Sequence, residues 1–169
     1  MKKNYLNIDV CKECGGKCCK LLPGIAHPRD FNKPLAKSLL KAFESGHWGI
    51  DWYEGDPRQH KDELRKTFFV RPRIKGVKKL FDPAWSGECI FLAYDGCTLK
   101  PLERPRGCRL LEPISIKKCI PHVPDKEAST RPWIPYQKLI LKVARVLRES
   151  PHNASRPDAP NFLEALLNI

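Results

Sequence analysis

Residues 11–19 read CKECGGKCC and place Cys11, Cys14, Cys18 and Cys19 in one short segment. The other four cysteines, Cys89, Cys97, Cys108 and Cys119, come far downstream. The chain thus begins with a sulfur-rich knuckle, makes a long excursion and returns with more sulfur. The two-residue gap between Cys11 and Cys14 lets a tight turn aim two sulfurs at one ion. Gly15 and Gly16 follow. Glycine accepts positive φ and lets backbone N–H groups come close to a metal-bound sulfur. Adjacent side chains diverge on helices and strands, so Cys18 and Cys19 do not suit one unstrained zinc tetrahedron. Either they serve different ions, or one ligates and the other packs. Eight thiols also exceed the four that complete one zinc site or one [4Fe–4S] cluster. Spare thiols and a polynuclear site are both open on this evidence.

The composition narrows the class. The chain has 169 residues, 41% hydrophobic and 30% charged, which excludes a collagenous or wholly disordered protein. Its 16 prolines are about twice the usual share of roughly 5%, so short helices and irregular backbone are expected. No apolar run approaches the roughly 18–20 residues that span a bilayer, so no membrane partner is expected. Lys2 and Lys3 have no apolar stretch behind them, so a signal peptide is not expected and a cytoplasmic location is. In a reducing compartment, eight cysteines point to metal ligation rather than to disulfides.

Further motifs carry a resemblance. Cys89-Ile-Phe-Leu92 is followed by Asp95-Gly96-Cys97 and then by Arg104-Pro105-Arg106-Gly107-Cys108-Arg109. With the knuckle, this order is similar to the signature of the YkgJ-type CxxCxxCC family, whose members are associated with zinc or iron chelation. The match covers residues 11–19 and 89–113. The chain differs in having three residues between Cys14 and Cys18, a longer interval from Cys97 to Arg104, and Lys100-Pro101 where an aromatic residue is frequent. Cys119 lies outside the motif. The resemblance implies chelation by Cys11, Cys14, Cys18, Cys19, Cys89, Cys97 and Cys108, with zinc, iron or an iron–sulfur cluster as cofactor. Flagellin lysine methylases carry a similar cysteine pattern, which keeps an enzyme in view. Arg104 and Arg109 flank Cys108 and are expected to hydrogen-bond carbonyls or thiolates of the knuckle.

Elsewhere the pattern predicts a helix over 30–46, with Asn32 as cap, Pro34 in the first turn and Leu35, Leu39, Leu40 and Phe43 inward. Gly46 ends it. Strands are expected over 47–53 and 66–74, with Pro72 marking an edge. Residues 55–65 read as a polar loop and 89–113 as irregular backbone around the metal. A helix over 136–148 presents Leu139, Ile140, Val143, Val146 and Leu147 on one side. Lys138, Lys142, Arg145 and Arg148 lie on the other. The expected fold is α+β, a small irregular domain with short helices and strands assembled around a cysteine-ligated metal centre. Residues 1–152 form this domain, 153–160 a linker, and 161–169 a helical arm.

Lys and Arg number 31 against 19 Asp and Glu, a formal net charge of +12. Such a surface suits nucleic acid or another polyanion. It also suits charge compensation at thiolates, since Lys12, Lys17, Lys20, Arg104, Arg106 and Arg109 flank the cysteines. No helix-turn-helix, RRM or classical zinc-finger pattern is present. Asp51, Glu54 and Asp56 read as a solvated acidic loop. His122 follows Cys119 at ligand spacing, and whether either ligates is open. The leading reading is a metal-binding protein. The alternatives are an enzyme, methyltransferase-like or redox, and a basic nucleic-acid-binding protein with structural zinc.

Overall fold

The computed structural model describes residues 7–58, 65–83, 86–116, 118–122 and 125–149. The expected linker and C-terminal arm, 153–169, lie outside the described residues, as do His60, His152 and most of the predicted loop 55–65. The described chain is a small α+β domain of short helices and two-stranded antiparallel sheets. Among the described residues no helix is long and apolar enough to cross a membrane.

The knuckle folds as two short helices, α1 (Ile8–Glu13) and α2 (Lys17–Leu21). The Asn7 side chain caps α1 by accepting from Val10 N. Gly15 and Gly16 form the joint, with φ of 64° and 68°, the left-handed region open to glycine. Cys11 and Cys14 thus stand one helical turn apart and share a face.

After a 3₁₀ turn, Pro28–Asp30, comes α3 (Leu35–Glu44), which buries Leu39 and Phe43. It begins later than the pattern predicts. Pro34 is extended, with ψ of 134°, and caps the helix instead of lying in it. The carbonyl of Asn32 accepts from Ser38 Oγ, and its side chain does not cap. Gly46, at φ 75°, follows the helix end as expected.

Strands β1 (Trp48–Glu54) and β2 (Lys66–Pro72) pair antiparallel, with Ile50 opposite Val70 and Trp52 opposite Phe68. The outer edge of β1 is covered by residues 80–82, through Ile50 N to Leu80 O and Asp82 N to Ile50 O, both 2.8 Å. Pro72 marks a change of partner. Beyond it, Ile74 bridges Cys89, so the excursion returns directly beside the core ribbon. The predicted irregular stretch 89–113 contains a small hairpin, β3 (Leu92–Ala93) with β4 (Gly96–Cys97), and a single helical turn, α4 (Arg106–Arg109). A third ribbon, β5 (Leu111–Ser115) with β6 (Lys118–Pro121), went unread in the sequence because its strands are short and proline-bearing.

The core lies between β1–β2, α3 and α6 (Gln137–Val146), with α5 (Lys126–Thr130) and the 3₁₀ segment Arg131–Tyr136 leading in. Trp133 is fully buried and donates its Nε1–H to Ala26 O at 2.7 Å. Gln137 extends the sheet's hydrogen bonding: Phe68 N–H donates to its Oε1 and its Nε2 donates to Phe68 O, each at 2.8 Å. Ile140, Val143 and Ala144 form the buried side of α6, whereas Val146 is 64% exposed. The inward stripe is centred on Ile140 and Val143, and Val146 falls to its margin at 100° per residue.

Asp51 is not a solvated loop residue. It is 2% exposed and accepts from Arg71 Nε at 3.0 Å. Arg71 is fully buried, and its Nη1 donates to Asp82 Oδ2 at 3.2 Å and to Pro72 O at 3.0 Å. Asp56 is also buried and pairs with Arg58 at 2.6 Å. The ion group of Arg71, Asp51 and Asp82 ties β1, β2 and the 80–82 segment together. Replacing Arg71 by Met would leave two carboxylates buried without their cation. The expected cost is about 3–5 kcal/mol of unfolding free energy, as for other broken buried pairs. Urea unfolding checks it, and a midpoint equal to wild type would refute the role.

Candidate metal centre

The excursion closes where two backbones meet without side chains between them. A Cβ on Gly24 would stand 2.6 Å from Cys108 Sγ and 2.7 Å from Cys108 N, and one on Gly107 would stand 2.7 Å from Ile25 N. Only glycine permits this approach. Gly107 N–H donates to Ile25 O at 2.9 Å across the contact. Asp30 secures it, because its Oδ2 accepts from His27 N at 2.9 Å and from Arg106 N at 2.7 Å, while its Oδ1 pairs with Arg109. The segment after α2 is thereby fixed to the turn that carries Cys108. A second seam joins α2 to the returning chain through Gly87 N to Leu21 O and Cys89 N to Cys19 O, both 2.7 Å. At the other end, α1 packs on β5, and β5 pairs with the strand bearing Cys119.

These contacts enclose a cavity of about 880 Å³. All eight cysteines line it, and each is a free thiol. The seven sequence-predicted ligands are therefore brought to one place, together with Cys119, which the motif left outside. Among the described residues no group of three or more His, Cys, Asp or Glu side chains is disposed to hold a single metal ion. The thiols line a volume rather than converge on a point. His122 is not in the cavity wall and instead contacts Glu112 at 2.6 Å.

The two arginines part company. Arg104 is 8% exposed, lines the cavity and donates its Nε–H to Leu99 O at 3.1 Å. Arg109 is buried but not in the cavity wall, and it donates Nε–H to Arg104 O at 2.8 Å besides pairing with Asp30. It positions Arg104 and α4. Of the other flanking cations, Lys12 and Lys17 line the cavity, while Lys20 and Arg106 do not. Lys100, of the Lys100-Pro101 departure, and Lys118, unremarked in the sequence, do.

Five of the thiols, Cys11, Cys18, Cys89, Cys108 and Cys119, resist ionisation. Burial, then the charges of Cys18 and Cys14, push the Cys11 thiol up to about 11, against the opposing pull of Arg104. Burial takes Cys89 to about 11 as well. Cys108 is raised by burial and by Cys89, Cys18 and Cys97, while the Gly24 backbone amide favours its thiolate. Cys18 is raised by its contact with Cys19, sulfur to sulfur 3.9 Å, and by burial. Cys119 is raised by burial and by Cys18 and Cys14. A cation set among these sulfurs reverses the balance, because a coordinating thiol is deprotonated outright. The donor set suits a thiolate-ligated centre: soft sulfurs, backbone amides at Cys108 and Cys89, and cations in the wall.

No family model, curated protein or solved structure matches the chain.

The close approach at Gly24 yields a prediction. Gly24→Ala forces its methyl group onto Cys108 and should cost about 1–3 kcal/mol, as overpacking does. It should also displace the Cys108 thiol. Urea unfolding reads the first effect and the rate of Cys108 alkylation, mapped by peptide mass, reads the second. Wild-type values for both would show that the two backbones have room to spare.

Proposed function

We propose that this chain is a metal-binding protein that holds zinc or iron, the latter as ions or as an iron–sulfur cluster, through its cavity thiols. The observation that carries this reading is the meeting of all eight cysteines, from both ends of the long excursion, in one cavity. The order of the motifs adds the resemblance to the YkgJ-type chelating proteins. Eight scattered structural cysteines would have no reason to share one wall with Arg104 and four lysines. When bound, zinc would supply a fold-closing or Lewis-acid centre and an iron–sulfur cluster a one-electron carrier. The chain's own part is to fix the sulfurs, to offset their charge with Arg104 and the lysines, and to exclude water with Leu92, Leu99 and Leu111 in the cavity wall. A cytoplasmic location belongs to the same proposal, since unpaired thiols persist there.

Metal analysis and a visible spectrum on anaerobically purified protein test it. Stoichiometric metal is expected, brown with sulfur-to-iron absorption for a cluster and colourless for zinc. Cys14→Ser and Cys108→Ser should each lower metal content and stability, because metal binding contributes folding free energy. Full metal retention in both variants, or no metal in wild type after reconstitution, would overturn the reading.

A second reading has one specific observation behind it. Lys138, Lys142, Arg145 and Arg148 are all exposed, on the side of α6 and its end away from the core. Such a stripe suits a polyanion, and each neutralised phosphate contributes about −0.9 to the slope of log K against log salt on duplex DNA. Replacing Lys142 and Arg145 by Gln should flatten that slope by about two units and leave metal content unchanged. Absent binding at low salt, or an unchanged slope, would reduce the stripe to a solvated face.

A further inference from the structure

Four arginines are buried among the described residues, and three of them spend a terminal nitrogen on the protein. Arg71 donates Nη1 to Asp82 Oδ2 and Pro72 O, Arg73 donates Nη1 to Lys78 O at 2.7 Å, and Arg109 donates Nη2 to Asp30. Arg104 is the exception. It is 8% exposed, and its side-chain hydrogen bond to the protein runs from Nε to Leu99 O at 3.1 Å. Among the described residues its Nη1 and Nη2 have no acceptor, although its charge is felt at Cys11. Asp95, the one carboxylate that the described residues give the cavity wall, is exposed and does not pair with it. A buried guanidinium that offers two unmatched nitrogens to a cavity is costly without an anion.

The cavity around it is mostly apolar. Leu21, Phe91, Leu92, Leu99, Leu111 and Ile116 contribute to its wall. Its volume of about 880 Å³ falls within the roughly 300–1,000 Å³ of small-molecule sites. Lys12, Lys17, Lys100 and Lys118 also line it, but all four are exposed. Among the described residues Arg104 is thus the single buried cation of the wall.

We infer that the cavity binds a small organic monocarboxylate with an apolar body, its carboxylate on the Nη1–Nη2 edge of Arg104 and its body against the leucines and Phe91. The guanidinium fork matches a carboxylate bidentately. One buried cation calls for one negative charge. A carboxylate carries that, whereas a phosphate monoester carries about −1.5 to −2. The apolar wall selects the body, because buried polar groups without partners are penalised. The exposed lysines raise the local concentration of such an anion at the mouth. The inference goes beyond the metal-binding reading and does not rest on it.

Dodecanoate, decanoate and dodecanol are the probes, titrated calorimetrically into the reduced full chain at concentrations where each is monomeric. Wild type should bind dodecanoate about tenfold or more tighter than dodecanol, the contribution expected of hydrogen bonds to a charged group. Shortening the chain to decanoate should weaken binding about 15-fold, since two methylenes leave the apolar wall. Arg104→Gln should weaken dodecanoate about 10–100-fold and leave dodecanol unchanged. Bound dodecanoate should also slow alkylation of Cys14 and Cys97, mapped by peptide mass, a readout that needs no variant to fold. Equal affinity for dodecanoate and dodecanol, equal affinity for the two chain lengths, or unchanged alkylation would overturn the inference and leave the metal-binding reading standing. So would undetectable dodecanoate binding, or wild-type dodecanoate affinity in Arg104→Gln.

Discussion

The arrangement depends on a backbone contact, the approach of Gly24 and Gly107, held by the carboxylate of Asp30. Two main chains far apart in sequence pack so closely that neither position has room for a methyl group. Asp30 then accepts from two backbone amides and pairs with Arg109, itself buried. A charged group is costly to bury unless paired and hydrogen-bonded, and this one is both. The result is a rigid link from the end of α2 to α4. Every sulfur contributed by the first helices is thereby referred to Cys108.

The core and the cavity are not independent. Arg71 anchors β2 to β1 and to Asp82, and Asp82 in turn accepts from Ile74 N–H at 3.0 Å. Ile74 bridges Cys89, so the buried ion group sets the position of a cavity thiol through one strand. The Arg71 cation also reaches that thiol, opposing the upward push of burial. Pro72, the last residue of β2, is at once a carbonyl acceptor for Arg71 and part of the cavity wall. A ribbon two strands wide would be marginal alone. Here one edge of β1 is covered by residues 80–82, and the chain just past β2 is bridged by Cys89.

Local pattern made part of this legible in the sequence. The four-residue spacing of Leu35, Leu39 and Phe43 marked α3, the alternation from Trp48 marked β1, and the periodicity around Ile140 marked α6. These are segments where burial on one face imposes a period. The cysteine cavity was legible in its membership but not in its geometry, since spacing says which thiols are grouped and not which elements bring them. Asp51 was misread because its partner, Arg71, is twenty residues away and carries no local signal. Arg109 was read toward the knuckle, yet Asp30 holds it, again a partner set by tertiary packing. Cys119 was left out because it lies outside the motif, and the ribbon that delivers it is short and interrupted by Pro113 and Pro121, which lack strand propensity.

The first two helices state the remaining problem most sharply. Helix α1 has six residues and α2 five, and neither buries a residue. Isolated helices shorter than roughly 12–15 residues are marginal in water, so neither stands on its own backbone. What the polypeptide offers them is a few edge hydrogen bonds, the α1 contact with β5, and five cations around a cavity lined by thiols. Clustered cations repel, which opposes closure. On the proposed reading, metal removes that opposition: thiolates replace thiols, their negative charge meets the lysines and Arg104, and the sulfur–metal bonds supply the tertiary contacts the helices lack. The knuckle would then owe its fold to the centre it helps to build, with the Gly24–Gly107 contact keeping the receiving thiols in place meanwhile.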